Sequence, residues 1–220
     1  MQQIIDTLSG HALVDSAASG SRRMLDEITV LNDALNVLPS LQTVFPDTSI
    51  GKQFRQVARM IQARESLGMS RQIFFVSLGG FDTHADQLAS QAGLFARLDA
   101  AMASFYQATE ELAVASQVTS FTLSEFGRTL LPANGGSDHG WGNHHFIMGG
   151  AVHGGDVYGE FPSLALSGSD DASDKGRLIP TTSVDQYAAT IANWLGVGTQ
   201  DLADLFPNLI NFPNPLLRFI

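Results

Sequence analysis

The strongest constraint on the fold is a seven-residue run, Gln72-Ile-Phe-Phe-Val-Ser-Leu78, rich in aromatic and branched side chains and stopped by Gly79-Gly80. Its length, composition and glycine stop predict a buried strand. From about Asp86 to Ala115 the apolar residues Leu88, Leu94, Phe95, Leu98, Met102, Phe105 and Leu112 recur at roughly helical spacing, and Val118–Leu123 is again strand-like. Strand, long helix and strand in that order predict a βαβ unit with parallel pairing, so the expected class is α/β. The stretch His144–Gly150 is a candidate third strand.

Two units are expected along the chain, a helical segment over 1–70 and an α/β domain over 71–220. In the first, apolar residues keep helical spacing from Met24 through Leu38 and from Phe54 through Leu67. Pro39 and Pro46-Asp-Thr-Ser49 separate these helices, with Thr48 or Ser49 available as a cap. In the second, residues 150–180 are rich in Gly, Asp and Ser, with Ser167–Gly176 as an exposed tip; Ala172 breaks the spacing of a calcium loop. Ser183 is placed to cap a helix that stops at Gly196, and prolines 207, 213 and 215 mark a surface-packed tail.

Composition removes several function classes. A formal net charge of −10 with only two lysines, Lys52 and Lys175, disfavours a nucleic acid partner. The lack of cysteine excludes disulfides, zinc–thiolate sites and thiol catalysis, and leaves the compartment open. No stretch approaches the ~20 apolar residues of a membrane span. The first residues lack the basic-then-apolar order of a signal peptide, and Arg22-Arg23 is followed by a sequence too acidic for an export segment.

Chemistry concentrates in three windows: Gly79-Gly-Phe-Asp-Thr-His84, Ser124-Glu-Phe-Gly-Arg-Thr129 and Ser137-Asp-His-Gly-Trp-Gly-Asn-His-His145. Four of the six histidines fall in the first and last, mixed with carboxylates and glycines, as in loops that fold around a divalent cation. Asp82 and His84 follow the first strand and Glu125 and Arg128 the second, where ligands bind in open parallel sheets. Asp82 could instead cap the following helix. Glu125 needs a cationic partner, either metal or Arg128. Arg128 could also clamp a phosphate or sulfate oxygen. Asp138, His139, His144 and His145 are further candidate ligands, although neighbours in a strand point to opposite faces, so one of His144 and His145 is expected to face a shared ion. His153 is expected to be an exposed loop residue, and Trp141 to cover the site or pack beneath it.

These windows, with Pro180-Thr-Thr-Ser-Val-Asp-Gln-Tyr-Ala-Ala-Thr190, resemble the bacterial family called domain of unknown function 1501, a part of the alkaline phosphatase and sulfatase-like superfamily. The resemblance covers most of 72–195. It implies a doubly wound, parallel-sheet α/β sandwich of the alkaline phosphatase-like type, with a metal centre and ester substrates. By order along the chain, Asp82 and His84 would serve a first ion and Glu125 a second, with His139 or one of His144 and His145 completing the first. Glu125-Phe126 stands where the superfamily commonly has Asp-His, so a second ion would lose an imidazole unless Asp138-His139 supplies it, which leaves both a one-ion and a two-ion site open. Nothing in 1–70 resembles the Gly-Gly-Asn-Asp-Gly-like turn with which such proteins begin. The resemblance therefore implies the C-terminal half of a longer protein, with an incomplete sheet.

The expected function is a metal-dependent hydrolase of phosphate, sulfate or related esters, using one or two zinc or manganese ions. Metal-bound water attacks, and Arg128 stabilises the developing charge. The alternatives are a non-catalytic metal-stabilised or partner-binding module, and a metal-free serine esterase using Ser124, which lacks a Gly-x-Ser-x-Gly elbow. An exposed sheet edge predicts a homo-oligomer.

Overall fold

A computed structural model describes residues 10–220; the first nine residues of the expected helical segment, on which the signal-peptide expectation bears, lie outside them. In chain order the described elements are α1 (Ala12–Asn36), α2 (Ser49–Gln62), α3 (Gln87–Glu111), β1 (Thr119–Phe121), β2 (Gly127–Ala133), β3 (Gly136–Gly140), β4 (Ile147–Gly149), α4 (Val184–Trp194) and the short α5 (Leu202–Leu205). Short 3₁₀ segments precede β1 and follow α5.

Helix α2 starts where its cap dictates, with the Thr48 side chain accepting from the Gly51 N–H at 3.1 Å. Its apolar stripe, Ile50, Phe54, Val57, Ala58 and Ile61, packs on Ala101, Phe105 and Ala108 of α3 to form the main core. The Phe54 and Phe105 rings meet at 4.9 Å between centroids. Burying side chains of this size contributes roughly 1.5–3 kcal/mol each. Two satellite clusters hold the far end of the chain: Tyr187, Ile191 and Phe219, then Ala189, Leu202 and Leu209. The tail is thus docked, with Phe219 fully buried. Helix α4 carries a complete capping box between Ser183 and Gln186, and Gly196 adopts the left-handed φ of +107° that stops it.

The parallel-sheet α/β sandwich is not formed. The described chain is mostly helical, with two small antiparallel sheets of two strands each, β1 with β4 and β2 with β3. Residues 72–78 form no strand, yet their side chains alternate: Phe74, Val76 and Leu78 are partly buried against the main core, while Ile73 and Phe75 are 80% and 91% exposed. No described strand pairs with this segment; the Gln53 side chain instead bonds Ser77, accepting from its N–H at 2.8 Å and donating to its carbonyl at 3.0 Å. β1 takes its partner from β4 because only 25 residues, folded around the tight β2–β3 hairpin, separate them, with no crossover helix between. The helix bridging 72–78 and β1 permits a parallel pair but does not compel one.

Candidate metal centre

The site is built where three pieces of chain meet: the turn at 82–84, the start of α3 and the β2–β3 hairpin. Asn134 and Gly135 close the hairpin, both at positive φ (54° and 79°), the geometry of a two-residue turn that suits strand twist. That turn is tied to α3, because the Gln87 N–H, one of the helix's first unpaired donors, bonds the Gly135 carbonyl at 3.0 Å. Ser137 adds a second tie, donating to the Gln87 side chain at 2.7 Å. Gly136 has no room for a side chain, since a Cβ there would run into the Thr83 carbonyl and the His84 backbone. β3 therefore presses directly on the turn that carries His84.

Within the hairpin Arg128 and His139 are register partners. Both reach the same atom: Arg128 Nη1 donates to Asp82 Oδ1 at 3.0 Å, and His139 Nε2 lies 2.9 Å from it. His84 Nε2 is 2.8 Å from that oxygen and 3.3 Å from His139 Nε2. Asp82, His84 and His139 are the group of three or more potential ligands that converges among the described residues, with all three ligand atoms within 4.8 Å of one another. Their side chains are about half exposed. The hydrogen bond from His139 holds the Asp82 carboxyl below the usual carboxylate range; desolvation opposes this, and Arg128 and the charge of both imidazoles reinforce it.

Arg128 is only 14% exposed and is largely occupied by the protein itself. Its Nη2 donates to the Thr83 carbonyl at 2.7 Å and to the Ser137 carbonyl, and Nε donates to the Ser137 hydroxyl at 3.2 Å. It clamps the 82–84 turn to β3. The guanidinium partner is thus Asp82, not Glu125.

The other expected ligands lie outside the group. Asp138 is nearest, with Oδ1 4.0 Å from His84 Nδ1. Glu125 is exposed, His144 packs on Phe161 with centroids 5.2 Å apart, and half-buried His145 meets Thr122 Oγ1 at 3.3 Å and stacks on Tyr187. Burial, then the neighbouring His144, lowers the His145 pKa from its ordinary value. Asp82 does not cap α3; that position is taken by Asp86 in a left-handed conformation. Trp141 and His153 are exposed, and the Ser124 hydroxyl donates to the Phe126 carbonyl at 3.0 Å.

Two contributors to the site carry no motif of their own in the sequence. Phe126 lies flat on the His139 imidazole, centroids 3.9 Å apart and planes 10° from parallel. Arg177 donates from Nε to the His139 carbonyl at 3.0 Å, and its loop is folded around Asp171, whose carboxylate accepts the N–H groups of Ser167, Ser173, Gly176 and Arg177. Only Asn134-Gly135, a strong hairpin signal, could have placed β2 against β3 and so Phe126 near His139.

A family model described as "Protein of unknown function (DUF1501)" matches residues 21–206. No curated protein and no solved structure matches the chain.

Proposed function

The chain belongs to the DUF1501 family, and from its site we propose a metal-dependent hydrolase of phosphate, sulfate or related esters that holds one zinc or manganese ion on Asp82, His84 and His139. The observation that carries this reading is the triangle of one carboxylate oxygen and two imidazole nitrogens with sides of 2.8, 2.9 and 3.3 Å. Two ligands at about 2.1 Å from a tetrahedral ion stand about 3.4 Å apart, so the donor set fits a small divalent cation after a minor adjustment. The fit is also chemical. Both imidazoles and Arg128 point at a single Asp82 oxygen, and no proton arrangement uses all three edges of the triangle equally well.

Bound there, a divalent cation would supply a nucleophile from water near neutral pH and offset charge on the ester oxygen. The chain's own residues do the rest. Asp82 stays ionised because of its hydrogen-bonded surroundings, and Arg128 fixes its direction from a largely enclosed position. Asp138 Oδ1 lies 4.0 Å from His84 Nδ1, beyond hydrogen-bond distance but on the side from which a carboxylate would orient a ligating imidazole. The exposure of all three ligands leaves an open face for a substrate and for water.

Kinship with the alkaline phosphatase and sulfatase-like enzymes belongs to the same proposal. It is supported by the order of Asp82, His84 and a later histidine along the chain, and it is the source of the ester substrate class. Dialysis against a chelator tests the reading on a panel of aryl phosphate, sulfate and carboxylate esters. Hydrolysis should disappear and return with zinc or manganese; turnover indifferent to chelation overturns it.

A further inference from the structure

Helix α1 is 25 residues long, yet Leu35 near its C-terminal end is its one buried residue. Seven of its residues nevertheless keep a seven-residue repeat, Val14, Ala17, Ser21, Met24, Ile28, Leu31 and Leu35, flanked on one side by Ala18 and Leu25, while Leu13 and Val30 lie off it. A spacing of alternately three and four is the seam by which one helix packs along another at a shallow angle. Much of that seam is open: Val14, Met24 and Ile28 are 53%, 54% and 45% exposed.

The seam is uneven in size. After Val14 its first half is small (Ala17, Ala18, Ser21), and its second half is large (Met24, Leu25, Ile28, Leu31). A parallel, in-register pair would set small against small and leave a gap at one end. An antiparallel pair related by a two-fold near residues 24 and 25 sets Ser21 against Ile28, Ala18 against Leu31 and Met24 against Leu25, which gives constant width along the contact. The same two-fold brings Glu27, on the flank of the seam, alongside Gly20 and Arg23 of the second copy, joining opposite charges where a glycine leaves space. Size and charge both complement themselves in this one arrangement.

We propose that α1 is a self-association helix through which two copies of this chain pair antiparallel along Ala18–Leu31. Leu35 anchors each helix in its own subunit, and the Arg59 guanidinium, which donates to the Leu35 carbonyl, fixes the angle at which it leaves. The surface is separate from the metal centre, so the pairing stands or falls independently of the proposed chemistry.

The test uses the full chain. Light scattering after size exclusion should give twice the 23.6 kDa chain mass, and the double substitution Met24→Lys with Ile28→Lys should halve it without changing the circular dichroism spectrum. The absence of native cysteine makes a second arm clean. Met24→Cys, beside the two-fold, should form a disulfide-linked pair rapidly on oxidation, while Ala12→Cys, about 37 Å from its equivalent in an antiparallel pair, should not. A monomer at all concentrations, a dimer that survives the lysine pair, or Ala12→Cys cross-linking as fast as Met24→Cys overturns the proposal.

Discussion

Phe126 and His139 stack face to face, 3.9 Å between ring centroids and 10° between planes, although twelve residues separate them in the chain. The contact restricts the imidazole to one plane while its Nε2 points at Asp82. A ring pair of this kind contributes about 0.5–1.5 kcal/mol. Phe126→Ala is therefore expected to weaken zinc binding by about 3–10-fold in calorimetric titration, with Phe126→Tyr near wild type. Equal affinity in the alanine variant would remove Phe126 from the site.

Arg128 joins Asp82, the Thr83 carbonyl and Ser137 through one planar fork. A lysine cannot reproduce that geometry. Arg128→Lys and Arg128→Gln should both destabilise the chain by about 2–3 kcal/mol, the scale of hydrogen bonds to a charged group. Denaturant unfolding measures this, and a lysine variant as stable as wild type would contradict the clamp.

Gly136 is needed for space, not for its φ angle. A methyl group there collides with Thr83 and His84 backbone atoms, so Gly136→Ala must push β3 off the turn. The expected cost is about 1–3 kcal/mol, together with weaker metal binding as His139 moves from His84. A crystal structure of the variant with an unchanged His84–His139 separation would refute this coupling.

His145 sets an acid limit on the Tyr187 cluster. Burial first, then His144, lowers its folded pKa below the ordinary 6.5, so the unfolded chain takes up the proton at higher pH than the folded one. Stability should therefore fall as pH drops below about 6.5, and the loss from this group should be complete once pH passes its lowered folded value. Melting temperature against pH should be flatter in His145→Asn than in wild type over that window. Parallel curves would show that His145 does not contribute.

Local structure is legible in the sequence where a single residue decides the outcome. Thr48 and Ser183 cap their helices, Gly196 ends α4, and Asp82 and His84 sit together at the turn after the Gln72–Leu78 segment. Pairing was not legible, because a strand-like run states that it is extended and which face is apolar, but not what lies beside it. The Gln72–Leu78 run shows this: it alternates as a strand does, yet bonds a glutamine side chain. At the site, adjacency in the chain suggested Glu125 with Arg128 and grouped four candidate ligands between 138 and 145. The Asn134-Gly135 turn instead carries Arg128 and His139 to Asp82, and His144 and His145 face aromatic neighbours.

Metal content measured on the purified wild-type chain and on Asp82→Ala, His84→Ala and His139→Ala, each equilibrated with zinc or manganese and freed of excess, tests the central claim most directly. The account predicts one ion per wild-type chain and its loss from each variant, while Glu125→Ala and His144→Ala retain it. A wild-type chain that takes up no ion, or variants that hold it as tightly as wild type, would contradict the account.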